Sequence, residues 1–140
     1  MVGSRSRWIT PDNDNHGFAK WAFANKAELL KLGPGYHYGE WWGNGIQRGY
    51  GLPKDDKRFS LFNVMRWADN PDRPSCCSTV PILHRGLFNT EDIKKTLESL
   101  RVTGSKAAPF SNPEGIVIYH TQSNSSFKVT FENDEKGKGE

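Results

Sequence analysis

A chain of 140 residues with a formal charge of +3 is one domain at most, and long enough to bury a real core. Five tryptophans and eight phenylalanines in a sequence of low apolar fraction suit a folded domain with a pocket or an extended surface, and they exclude a disordered chain. The mild positive charge favours an anionic partner such as a nucleotide or nucleic acid. No run is apolar and long enough to span a membrane.

Residues 1–5 carry no apolar signal region, and the adjacent Cys76 and Cys77 cannot build a disulfide framework. The expected compartment is therefore a reducing cytosol, bacterial or of an infected host cell. Residues 2–9 read as the end of a strand. Pro11-Asp12-Asn13-Asp14-Asn15 is turn and N-cap chemistry, and predicts a helix over 17–32. Phe18, Trp21, Ala22, Leu29 and Leu32 share one face of it; Asn25 interrupts that face, and Gly33-Pro34-Gly35 ends it. A strand follows over 36–42, with Tyr36, Tyr38, Glu40 and Trp42 on one face and His37, Gly39 and Trp41 on the other.

The turn Gly43-Asn44-Gly45 leads to residues 46–50, and 53–57 form a polar loop. A strand is expected over 58–67, with Phe59 and Leu61 opposite Phe62 and Val64. A loop over 68–79 holds Pro71, Pro74 and the cysteine pair, and Pro81 makes a short strand over 80–84 an edge. Asn89 caps a second helix over 90–100, with Ile93, Leu97 and Leu100 as its apolar stripe. A loop over 103–113 precedes two strands, 115–120 and 126–132, joined by a polar turn. The charged, glycine-rich residues 133–140 read as a frayed tail. Strands outnumber helices and mostly follow one another, so the expected class is α+β on antiparallel sheets with flanking helices.

Four short blocks carry candidate chemistry. Gly39-Glu40-Trp41-Trp42-Gly43 sets a carboxylate inside an aromatic strand, which is costly unless it is paired, hydrogen-bonded or at a site; the plainer alternative is a solvated strand face. Its glycines would permit close approach of a ligand. Arg58-Phe59-Ser60-Leu61-Phe62-Asn63-Val64 is either a plain core strand or one that offers a ring to a purine. Pro113-Glu114-Gly115-Ile116-Val117 opens an apolar strand with a carboxylate, either an ordinary turn residue or a metal ligand at the strand mouth. Phe127-Lys128-Val129-Thr130-Phe131 sets a lysine opposite an apolar stripe, either on a solvated face or aimed at a phosphate.

Taken singly, each block is weak. Their order and spacing, preceded by Gly3-Ser4-Arg5-Ser6-Arg7-Trp8-Ile9, resemble the motifs of the covalent nucleotidyltransferases, and within them the ATP-dependent RNA ligases of phages and bacteria. The resemblance runs over about residues 2–131. It implies an ATP-grasp-like nucleotidyltransferase domain over 1–132, with 133–140 as a flexible tail. In that family a lysine in a Lys-x-Asp-Gly block attacks the α-phosphate of ATP. The AMP then passes to an RNA 5′-phosphate, and a 3′-hydroxyl displaces it to seal the strand. The implied partners are ATP, RNA ends and Mg²⁺ or Mn²⁺.

Carried over by motif, Glu40 would hold the ribose hydroxyls and Phe62 would stack on adenine. Glu114 would bind the metal, and Lys128 would contact the α-phosphate and help activate the leaving group. Arg5 would contact the nucleotide or the RNA end, with Arg7 its alternative if the register shifts; Arg7 and Arg48 are the candidate RNA contacts. The resemblance implies that Glu40, Phe62, Glu114 and Lys128 line one cleft. Two departures stand out. Thr130 replaces the second lysine of a Lys-x-Lys pair, and no Lys-x-Asp-Gly or Lys-x-Asn-Gly occurs; Lys31-Leu32-Gly33 and Lys136-Gly137-Lys138-Gly139 match no motif block. The expectation is a domain truncated before its nucleophile and missing N-terminal strands. It would be inactive alone, and a second chain could supply the missing part. The competing expectation is a non-catalytic nucleotide- or RNA-binding module.

Overall fold

Antiparallel pairing of Val2 with Ile9 and Gly3 with Trp8 opens the fold, joining β1 (Val2–Gly3) to β2 (Trp8–Ile9) in a computed structural model that describes residues 1–46 and 49–131. The chain divides into two compact units, Met1–Pro81 and Ile82–Glu140. Among the described residues no helix is long and apolar enough to cross a membrane. The architecture is mixed α/β, with antiparallel and mixed sheets and few helices.

In the first unit, Asp14 prepares the helix. Its carboxylate accepts from the backbone N–H groups of Asn15, Ala19 and Lys20 at 2.7, 2.7 and 3.0 Å. Burial opposes its ionisation, but these backbone donors outweigh burial and hold its pKa below the ordinary value. The expected helix over 17–32 is broken into α1 (Phe18–Ala24), α2 (Lys26–Leu29) and a 3₁₀ turn over Leu30–Leu32. Asn25 is the cause. Its side-chain amide donates to the Trp21 carbonyl at 2.8 Å and competes with the helical ladder.

β3 (Gly39–Gly43), β4 (Lys57–Leu61) and β5 (Cys77–Thr79) form the main sheet in that order. β3 pairs antiparallel with β4, whereas β4 pairs parallel with β5, which corrects the expectation of purely antiparallel sheets. Trp41, Phe59, Leu61 and Cys77 share the core face. There Phe18, Trp21, Trp41 and Phe59 form an aromatic cluster with ring centroids 5.2 to 5.7 Å apart. A Cβ at Gly39 would lie 2.5 Å from the Phe59 ring, so this glycine makes room for the core rather than for a ligand.

The strand expected over 36–42 begins only at Gly39, and two further strand expectations fail for local reasons. The strand over 58–67 stops at Leu61, and Val64–Trp67 form the short helix α3, because the Asn63 side chain accepts from the Arg66 backbone N–H at 3.3 Å. No strand forms over 80–84. The ladder ends with Val80 donating to the Leu61 carbonyl at 3.1 Å, and Pro81 has no N–H to continue it. β5 lies instead inside the expected loop.

In the second unit, Asn89 caps α4 (Thr90–Thr103) by accepting from the Glu91 N–H at 2.8 Å, and Gly104 at φ 79° ends it three residues later than expected. β6 (Gly115–His120) and β7 (Ser125–Thr130) form an antiparallel hairpin. The expected end of β7 at Glu132 and the tail over 133–140 lie outside the described residues.

Candidate functional site

The register of β3 and β4 sets Glu40 opposite Ser60, and Ser60 opposite Ser78 of β5. This row lies on the face away from the aromatic core. The buried indole of Trp42 donates to Ser60 Oγ at 2.9 Å, and the Ser60 and Ser78 hydroxyls lie 2.8 Å apart. Arg58 is held by a two-point contact with Asp56, at 3.1 and 2.9 Å, and lies 5.6 Å from the Trp42 ring centroid. Glu40 is therefore an exposed carboxylate on a rigid polar face.

Phe62 extends the same ladder by donating its N–H to the Tyr38 carbonyl at 3.0 Å. Tyr38 and Phe62 each lie one residue outside their strands, β3 and β4. The structure thus places Glu40 on β3 and Phe62 just past the end of β4, in the same unit. Phe62 is 48% exposed and lines a cleft of about 140 Å³ with Tyr36, His37, Tyr38, Asn63, Arg66 and the ends of the core. Ligand pockets run to roughly 300–1,000 Å³, so this cleft fits a flat ring rather than a whole nucleotide. Its floor is well anchored. Arg66 donates to the Leu32 carbonyl at 3.2 Å and lies 4.5 Å from the Trp67 ring centroid.

In the second unit, Lys128 Nζ donates to Glu114 Oε1 at 2.8 Å. The Phe131 N–H donates to the Glu114 carbonyl at 3.1 Å, tying the start of β6 to the end of β7. Gly115 between them has φ 157°, and a Cβ there would strike the Val129 carbonyl and come 2.7 Å from Thr130 Cα. Thr130, paired with Gly115, is buried. A lysine at this position would have to bury its stem in the hairpin. Glu114 offers a hard oxygen ligand, and among the described residues no group of three His, Cys, Asp or Glu side chains could hold a metal alone. One carboxylate suits Mg²⁺ when phosphate oxygens and water complete its shell.

Arg5 is exposed in the turn between β1 and β2, and no polar partner holds it among the described residues. Arg7 differs. Its guanidinium donates to the carbonyls of Asn13 and Asp14 at 3.0 and 2.9 Å, and so fixes the loop before α1. Arg48 lies outside the described residues. Lys31 is paired with Glu28 at 2.6 Å. Burial, followed by the neighbouring Cys76, pushes the Cys77 thiol up to about 12, which suits a core residue and not a thiolate ligand.

Two residues lining the cleft went unassigned in the sequence. Tyr36 and Tyr38 lie just ahead of β3, and their rings are nearly parallel, 6.4 Å apart. The Tyr-x-Tyr-x-Glu alternation was the signal for them. A family model described as RNA ligase matches residues 1–130. No curated protein and no solved structure matches the chain.

Proposed function

The chain belongs to the RNA ligase family, and we propose that it binds ATP and serves adenylate transfer to RNA ends, joining a 5′-phosphate to a 3′-hydroxyl. In this reading Phe62 stacks on adenine and Glu40 accepts hydrogen bonds from the ribose hydroxyls. Lys128 donates to the α-phosphate, and Arg5 contacts the nucleotide or the RNA 5′ end. Arg7 and Arg48 are secondary RNA contacts. Mg²⁺ or Mn²⁺, held by Glu114 with phosphate oxygens and water, would neutralise charge on the phosphates.

The observation that carries the reading is the Glu114–Lys128 pair at 2.8 Å. A carboxylate and an ammonium in contact are a resting arrangement that ATP and a divalent cation would divide. The carboxylate would turn to the cation and the ammonium to the phosphate. Residues 1–140 hold no Lys-x-Asp-Gly block. The proposed activity of this chain alone is therefore nucleotide binding without a lysyl-AMP bond, in a cytoplasmic setting.

The test is to incubate the chain with Mg²⁺ and ATP labelled on the α-phosphate. Equilibrium binding is measured first, and a denaturing gel is run second. Saturable binding with no labelled protein band is expected. A labelled band would reveal a substitute nucleophile and overturn the non-covalent part. Absence of ATP binding would overturn the whole reading.

A further inference from the structure

Tyr36 and Tyr38 are 77% and 68% exposed. Their rings lie nearly parallel, at 17° between planes, just ahead of Gly39. The segment is fixed at both ends. His37 between them bonds the Gly33 carbonyl at 3.0 Å and packs edge-on to the buried Trp67, and the Tyr38 carbonyl accepts from Phe62. The backbone that carries the exposed rings is therefore anchored on both sides. With half-exposed Phe62 and the guanidinium of Arg66 they line one cleft, too small for a whole nucleotide.

We infer that Tyr36 and Tyr38 form a stacking platform for an unpaired nucleobase of the RNA strand, so that this domain prefers single-stranded RNA ends to ends held in a duplex. The inference rests on the proposed RNA ligase function. Every base has a π-face, so two adjacent rings bind it without regard to sequence, and a base inside a helix has no face to offer. The tyrosine pair lines the cleft beside Phe62. One ring takes the adenine of ATP, and the tyrosine pair takes a base of the strand. Neither tyrosine supplies a group that reacts.

The test uses the full chain, a fluorescent single-stranded RNA of mixed sequence, the same strand annealed to its complement, and ATP as a separate titrant. The variants are the double changes Tyr36→Ala/Tyr38→Ala and Tyr36→Phe/Tyr38→Phe. The alanine variant should bind single-stranded RNA about tenfold or more weakly. Its ATP affinity should fall by a clearly smaller factor than its RNA affinity, and the phenylalanine variant should recover the RNA affinity. Circular dichroism of each variant checks that the fold is kept; if the alanine variant unfolds, Tyr36→Leu/Tyr38→Leu replaces it with the same expectation. Equal affinity of the parent for single-stranded and annealed RNA overturns the inference. So does a loss that falls on ATP instead of RNA, which would assign the pair to the nucleotide pocket. RNA binding that depends on the tyrosines in a chain that binds no ATP would leave the inference standing and remove the ATP reading.

Discussion

Lys128 Nζ and Glu114 Oε1 meet at 2.8 Å although fourteen positions separate them in the chain, because the hairpin register sets Lys128 opposite Val117 and Gly115 turns Glu114 back toward β7. The lysine remains 58% exposed. An exposed ion pair contributes about 0–1 kcal/mol to folding, so its geometry is poor evidence of a structural role. Lys128→Ala should therefore shift the urea midpoint little. It should weaken ATP binding about tenfold or more, the cost of losing a charged hydrogen bond. Glu114→Gln should instead abolish the gain in ATP affinity that Mg²⁺ provides over a chelator control. Calorimetric titration of both variants with and without Mg²⁺ measures this. Equal losses of stability and binding would make the pair a structural clasp.

On the other unit the critical polar contact is buried. Ser60 is 4% exposed and accepts the Trp42 indole N–H at 2.9 Å. Ser60→Ala leaves that donor without its partner and should destabilise the chain by about 1–3 kcal/mol. Ser78→Ala removes only the outer hydroxyl of the row and should cost less. Urea unfolding followed by tryptophan fluorescence ranks the two, and the reverse order would mean that water or another group satisfies Trp42.

The site was legible where a fixed period governs it. The alternation of residues 39–42 is legible and sets Glu40 and Trp42 on one face of β3, because side chains on a strand alternate strictly, whereas the expected strand start at Tyr36 is not met. The hairpin at 115–130 was legible for the same reason, with Phe127 and Val129 on one face and Lys128 and Thr130 on the other. Side-chain hydrogen bonds to the backbone defeated the reading elsewhere. Asn63 turned a run of strand-like residues into a helix by capping it, and Asn25 broke a helix whose apolar spacing was sound. Arg7 is a third case. The sequence reading makes it the alternative to Arg5 under a shifted register, and only the folded loop offers it the carbonyls of Asn13 and Asp14.

Glu28 gives the fold a pH dependence of known sign. The hydrogen bond from Lys31, followed by the Ser75 backbone N–H, lowers its pKa to about 2 from an ordinary 4.5. A depressed carboxylate stabilises the folded state above its unfolded pKa and loses that contribution as pH falls through the folded one. The stability difference between the parent and Glu28→Gln should thus be constant above about pH 5.5 and shrink steadily toward pH 2. Urea midpoints taken across this window test it, and a gap that widens toward acid would contradict the assignment.

Gly115 joins the stability of the second unit to its chemistry. At φ 157° an alanine is strained, and its Cβ would collide with the Val129 carbonyl and crowd Thr130. Left-handed strain costs about 1–3 kcal/mol and overpacking adds about as much. Relief requires the start of β6 to move away from β7, which would separate Glu114 from Lys128. Gly115→Ala should therefore lower the melting temperature clearly. In the fraction that still folds, it should weaken ATP binding at least as much as Lys128→Ala does. Melting temperature and ATP affinity measured on both variants separate the two effects. A Gly115→Ala chain that melts like the parent would show that the hairpin absorbs a side chain at this position, and that the glycine is not what aims Glu114 at Lys128.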